Sequence, residues 1–171
     1  MKKLIGGTAF LAGLAILVIA ATALATPGSG ALFTALAPVA QFGEINAKAK
    51  IGGWESEIVT KGASDLHVTQ IALTPGGHGG WHSHPGPTFV LVKSGTATFY
   101  EGNDASCTPR VLPAGSGHFE RTGDAHIVRN EGTEALVFVV VHLIPAGATR
   151  RTDEPDPGNC ASRAIGRARS R

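Results

Sequence analysis

The stretch GGHGGWHSHPGPTFVLVKSG, Gly76 to Gly95, sets His78, His82 and His84 among glycines and prolines and then runs into an apolar, β-branched segment. Neutral imidazole nitrogens are good ligands for divalent zinc, iron, copper and nickel. On an extended strand, residues two apart face the same way, so His82 and His84 can aim both rings at one point. Thr88, four residues beyond His84, keeps that parity. The HSH triplet fits equally well a pair of solvated histidines beside a Gly/Pro turn, and taken alone it leaves both readings open. His78 lies in a flexible glycine loop, where a solvated ring competes with a fourth ligand or an acid or base at the site's mouth. His67 and His142 fall in strand-like runs and read as packing residues whose nitrogens find partners.

Such side chains need strands to position them. From Trp54 onward the chain becomes a series of short runs separated by turn residues: Glu57–Lys61, Leu66–Leu73, Thr88–Lys93, Thr96–Tyr100, Arg110–Leu112, His126–Arg129 and Ala135–Ile144. Regular spacing of that kind is the mark of a β-sandwich or barrel. A small barrel fills its interior or holds one small ligand, so convergent inward imidazoles point to a metal. KSG, ending at Gly95, reads as a tight hairpin between two strands. ALVFVVVHLI is apolar on both sides of its alternation and reads as a central strand covered on both faces. Trp81 and Phe89 alternate away from His82 and His84 and read as packing residues. No helical periodicity and no internal repeat competes with this all-β reading. With 171 residues, 43% of them hydrophobic, the chain can bury a core as a single domain.

The ends have different characters. Lys2 and Lys3 precede an uncharged apolar run from Leu4 to Ala25 that closes with the small-x-small pattern Ala23-Leu24-Ala25. That is the pattern of an export signal, residues 1–25, cut after Ala25, which places the protein in the periplasm or outside the cell. Left uncut, the run would be a membrane anchor, the one route by which this chain would meet a membrane. Removing Lys2 and Lys3 leaves 15 − 2 = 13 basic residues against 13 acidic ones. The last eleven residues, 161–171, hold Arg163, Arg167, Arg169 and Arg171 and read as a solvated, disordered tail. Residues 26–53 are rich in Ala and Gly and read as a linker or N-terminal arm. Residues 54–146 are the expected barrel. Nothing suggests a nucleic-acid partner, because the barrel is acidic and poor in Tyr and Trp. Two cysteines, Cys107 and Cys160, in an exported chain favour a disulfide, which would tether the segment 147–160 to the domain.

The histidine spacing resembles the first motif of the cupin family, G-x5-H-x-H-x3,4-E-x6-G, from Gly76 through His82 and His84 to Gly95. Gly123, His126 and Asn130 in GDAHIVRN match the end of the family's second motif. The resemblance implies a double-stranded β-helix, or jelly-roll, barrel, with His126 as a third ligand beside His82 and His84. Two positions depart from the pattern. Arg121 stands where the second motif has proline, and Thr88 stands where the first has its glutamate ligand. A neutral hydroxyl is a poor ligand for a divalent ion, so the expected set is three histidines, with His78, Thr88 and Glu120 as additional candidates. Glu120, just ahead of His126, is the nearby carboxylate able to replace the missing one.

These readings imply one divalent ion, Fe, Zn, Mn, Ni or Cu, with a small-molecule ligand; cupin-like barrels often pair, so the resemblance also allows a homodimer, which the sequence itself does not show. The leading functional reading is an exported metalloprotein that acts on a small molecule through one ion held by three histidines; sites of this type without the glutamate occur in iron enzymes that add dioxygen to thiols or cleave diketones, so the resemblance allows a mononuclear, non-haem-iron oxidoreductase of the dioxygenase type. Two alternatives stay open: a non-catalytic module that binds a small molecule or metal, and a metal-free structural barrel, for which Thr88 is the main argument. Phosphate-loop, serine-triad and cysteine-nucleophile chemistries find no matching elements.

Overall fold

In LVFVVVHLIP, Leu136, Phe138, Val140, His142 and Ile144 are buried while the residues between them are only partly so. β-branched and aromatic side chains favour this pleated arrangement, and the whole protein is built on it. The computed structural model describes residues 25–160. The expected signal and basic tail lie outside the described residues, except for Ala25, which forms a β-bridge with Pro155. Among the described residues no helix is long and apolar enough to cross a membrane.

In chain order the strands are β1 (Ser29–Ala35), β2 (Ala40–Phe42), β3 (Asn46–Ile51), β4 (Trp54–Val59), β5 (Ser64–His78), β6 (His82–Ser83), β7 (Thr88–Ser94), β8 (Thr96–Glu101), β9 (Arg110–Pro113), β10 (Gly117–Glu120), β11 (His126–Arg129), β12 (Leu136–Pro145) and β13 (Thr152–Asp153). Eleven of them form one antiparallel sheet in the order β10-β7-β12-β5-β11-β6-β13, with β1 and β2 added to β5, and with β8 pairing β11 and β9. The sheet curls into a nearly closed barrel of the double-stranded β-helix type, as the sequence implies. Closure leaves few unpaired strand edges.

Three sequence readings differ from the structure. The segment 26–53, read as a linker or arm, supplies β1 and β2, which lie antiparallel along β5, and β3, which forms a separate two-stranded sheet with β4. The boundary drawn at Trp54 therefore falls in the turn of that hairpin, where Ile51 faces Trp54. Its Ala and Gly content hid the strands, because these pair by backbone hydrogen bonds and expose most of their side chains. Second, KSG does not close a hairpin: β7 pairs with β10 and β12, and β8 with β11 and β9. Gly95 instead turns the chain from one wall of the barrel to the other. Its φ is 76°, and a Cβ there would stand 2.6 Å from the Ala135 carbonyl oxygen, so only glycine fits without strain. Third, the sequence reading contains no counterpart of β10.

Two apolar cores result. The larger, at the base of the barrel, contains Leu73, Val90, Val92, Ala97, Phe99, Val128, Leu136, Phe138 and Val140. The smaller contains Trp81, Tyr100, Ile127 and the two cysteines, which are joined as a disulfide across a Cα separation of 5.2 Å. Trp81 and Ile127 are the chain neighbours of His82 and His126. Alternation thus turns the imidazoles of β6 and β11 into the barrel and packs the next residues against the disulfide. The C-terminal segment ending in Cys160 also carries β13, which pairs with β6: Thr152 opposite Ser83, Asp153 opposite His82. Ser83 Oγ donates to Glu154 Oε1 at 2.7 Å. Strand β6, only two residues long, is held from both sides.

Candidate metal centre

His126 lies directly opposite His82 in the β11–β6 register, and His84 follows one residue after β6 ends. One ligand nitrogen from each of the three rings falls within a group whose members are no more than 4.8 Å apart, and all three residues are buried. Ring centroids are 4.4 Å apart for His82–His126, 4.9 Å for His82–His84 and 5.2 Å for His84–His126.

Each ring is fixed from behind by a backbone carbonyl. His82 Nδ1 lies 2.8 Å from the Gly80 oxygen, His84 Nδ1 2.6 Å from that of Arg150, and His126 Nδ1 2.9 Å from that of Asp124. A carbonyl can only accept, so each Nδ1 carries its hydrogen in the neutral ring and each Nε2 is left with a free lone pair. Such outer contacts fix tautomer and orientation in metal sites. Two of the three come from within two residues of the ring, and the third reaches from the segment after β12.

Facing the rings is Glu120, 6% exposed. Its Oε2 stands 3.2 Å from His84 Nε2 and its Oε1 3.2 Å from His126 Nε2. Glu120 Oε2 and His126 Nε2 are nonetheless buried without a well-aligned hydrogen bond among the described residues. Buried polar atoms without partners are costly. A cation shared by these atoms would satisfy them together, and a donor set of three imidazoles and one carboxylate suits a divalent transition ion. The residues therefore fit a metal.

The register explains the carboxylate. Glu120 on β10 is paired with Thr88 on β7, the position where the resemblance expects a glutamate. Thr88 is fully buried, but its hydroxyl donates to the Gly86 carbonyl at 3.3 Å and is directed away from the ligand role. A carboxylate on the neighbouring strand therefore lies opposite the β7 position that lacks one. His78, the other additional candidate, accepts from the Gly80 N–H at 3.2 Å through Nδ1 and is not one of the three clustered histidines. His118 stacks on Phe99 with centroids 4.5 Å apart, toward the base of the barrel.

The buried charges of the site act strongly on one another. Burial pushes the Glu120 carboxyl up, yet the His126 and His84 imidazoles beside it outweigh burial and hold it well below the usual carboxylate range. Burial likewise pushes His126 down, and the Glu120 carboxylate more than offsets this, so His126 is raised. His82 is lowered well below the ordinary histidine value by burial, and then by His126 and Arg151. Glu120 and His126 thus favour each other's charged forms, while burial favours the neutral form of His82.

Two further histidines reach the same space. His142 on β12 pairs with Thr88 on one side and with His67 of β5 on the other, so Glu120, Thr88, His142 and His67 form a row across four neighbouring strands. His142 is 4% exposed and its ring lies 4.7 Å from that of His84. Burial, reinforced by His84, lowers its pKa to about 3. Both residues, read from sequence as packing residues, line a cavity of about 450 Å³ together with His82, His84 and Glu120. His142 Nδ1 and His67 Nε2 have no hydrogen-bond partner among the described residues, so the partner expected for each ring is missing at one nitrogen. Arg150 and Arg151, which the sequence reading passed over, line the cavity as well. The one available signal was that His142 shares the parity of Phe138 and Val140, and parity alone cannot tell a pocket wall from a core.

Residues 69–142 match the family model of the cupin domain. No curated protein matches the sequence. Among solved structures, the chain is similar to a cupin-like protein from Thermotoga maritima, at 19% identity and a TM-score of 0.50 over 61% of this chain and 75% of that one. It is also similar to a conserved protein with a double-stranded β-helix domain from Klebsiella pneumoniae, at 26% identity and a TM-score of 0.45 over 66% and 85% of the two chains. A structure of DMSP lyases gives 26% identity and a TM-score of 0.44 over 52% of this chain and 44% of that one, so this chain spans less than half of the lyase. The Thermotoga likeness supports the fold alone.

Proposed function

We propose that this protein, whose barrel carries a cupin domain with three clustered histidines able to hold a metal, is an exported metalloprotein that acts on a small molecule. In this reading His82, His84, His126 and Glu120 hold one divalent ion at the polar end of the cavity. The observation that carries it is the anchoring of all three Nδ1 atoms to carbonyls, which leaves the Nε2 atoms of three clustered rings for an ion, two of them beside one buried carboxylate. A bound divalent ion would polarise a substrate oxygen and acidify bound water, and a redox-active ion would add dioxygen chemistry.

The chain's own residues do the rest. Glu120 contributes one negative charge, so the site carries about one net positive charge rather than the two expected of histidines alone. The Gly80, Arg150 and Asp124 carbonyls fix the tautomer of each ring and keep it aimed. His142, held neutral by its surroundings, offers an unpaired nitrogen to a substrate beside the ion. The apolar walls limit water in the cavity. Export is supported by the Cys107–Cys160 bridge, since disulfides persist in oxidising compartments.

Metal analysis of protein purified from its exported location tests the proposal. About one equivalent of a divalent metal is expected, with loss of thermal stability when it is chelated. Protein that purifies empty and gains no stability from added Zn or Fe(II) is a metal-free barrel, and the proposal fails. A homodimer belongs to the same reading. On the β3–β4 hairpin, Lys48–Glu57 and Lys50–Glu55 pair on one face, while Ile51, Trp54 and Ile58 on the other are half-exposed or more. A lone two-stranded hairpin is barely stable in water, so a second copy covering that face would stabilise it. A monomeric mass by light scattering would remove this part.

A further inference from the structure

The cavity's charges are lopsided. Of its lining residues, Glu120 is the sole carboxylate, and it is committed to the histidines. Two cations line the cavity, both from the segment that joins β12 to β13. Arg151 is paired with Asp153. Arg150 has no carboxylate partner among the described residues, although its position is fixed twice. Its carbonyl accepts from His84 Nδ1 at 2.6 Å, and its Nη1 donates to Thr69 Oγ1 on β5 at 3.0 Å. An unpaired guanidinium is thereby held between a proposed metal ligand and the cavity's β5 wall, and its charge is felt at His142. The opposite character is supplied by Ile71, Leu73, Phe138 and Val140, which form an apolar wall.

We propose, building on the metal reading above, that the cavity binds a small organic monoanion: a carboxylate held by Arg150 near the ion, with a short apolar body against Phe138 and Val140. Charge-assisted hydrogen bonds from a guanidinium are the strong kind, and the planar fork suits a carboxylate. A hydrogen-bonding group on the ligand would satisfy His142 Nδ1 and His67 Nε2, which are otherwise orphaned. A volume of about 450 Å³ lies within the range of small-molecule sites.

The test is calorimetric titration of full-length, Co(II)-loaded protein with butyrate and with its neutral isostere butanamide. Butyrate is expected to bind at least about tenfold more tightly than butanamide, and Arg150→Gln to lose most of that preference while taking up Co(II) as the parent does. Arg151→Gln, whose partner is already present, should change butyrate affinity less. Equal binding of acid and amide, or no binding of either, overturns the proposal. A preference that survives Arg150→Gln belongs to the ion alone and overturns the role of Arg150. Failure of the parent to take up Co(II) sinks the metal reading instead, and this inference falls with it.

Discussion

Strands β5, β7 and β12 run the length of the barrel, and their inward positions change character along it. At the base they present Leu73, Val92 and Leu136; at the other end, on the same faces, they present His67, Thr88 and His142. The base is a close-packed apolar cluster. The other end buries imidazoles and a carboxylate, and several of their polar atoms have no partner among the described residues. Burying such atoms costs free energy that apolar side chains of the same size would not. One end is built for stability and the other is held in place by it. The polar end makes sense if something absent from the chain itself completes it.

That contrast can be broken from either side. The largest effect is expected at the base: Phe99→Ala should cost about 3–5 kcal/mol in denaturant unfolding, with or without metal. A comparable loss of Co(II) affinity in the same variant would show that the two ends are not separable. Next comes the ion. At about a thousand times its Kd it should stabilise the parent by about 4 kcal/mol. His126→Ala should lower affinity by more than about a hundredfold and remove the gain, whereas His78→Ala should keep it.

A smaller effect sharpens the account of Glu120. Thr88→Glu would face two carboxylates across one strand pair in a fully buried position and should destabilise the protein by about 1–3 kcal/mol. The exchange Thr88→Glu with Glu120→Thr puts the charge back on β7 and should recover metal affinity lost in Glu120→Thr alone. No recovery would mean that the position of the carboxylate, and not its presence, is what the site needs.

Over a modest fall in pH the effect is the smallest. The folded pKa values of His82 and His142 are depressed, so below about pH 6.5 the unfolded chain binds more protons than the folded one. Their contribution is present above that value and is lost as the pH falls; for His142 the loss runs down toward 3. Glu120, also depressed, adds a loss at lower pH. His126 is raised and acts oppositely, stabilising below about 6.5 and less as the pH rises through its folded value. Metal-free protein should thus lose stability on acidification, and His142→Gln should flatten the slope. Phe99→Ala, in the apolar cluster that contains neither His82 nor His142, should leave their part of the slope in place.

The same two ends explain what the sequence could reveal. β12 was legible because Leu136, Phe138 and Val140 alternate with partly exposed neighbours, and His82 and His84 were legible as a same-face pair. His126 came from motif spacing. β10 was not legible: in GHFE the polar His118 and Glu120 point inward and Phe119 is half-exposed, the reverse of the usual alternation. With that strand missed, nothing showed that Glu120 lies opposite Thr88. The row from Glu120 to His67 depends on register across four strands, which no local pattern encodes. β1 to β3 escaped because strands that bury little carry little alternation, as Ala47 and Ala49 illustrate.

The central claim is that four side chains from three separate segments hold one ion. Anomalous X-ray diffraction from crystals of the Co(II)-loaded protein tests it most directly. The account predicts a single strong peak, about 2.0–2.2 Å from the Nε2 atoms of His82, His84 and His126 and from a Glu120 oxygen. A peak bound by other residues, a peak that leaves Glu120 paired to His126 and out of reach, or no peak at all would contradict it.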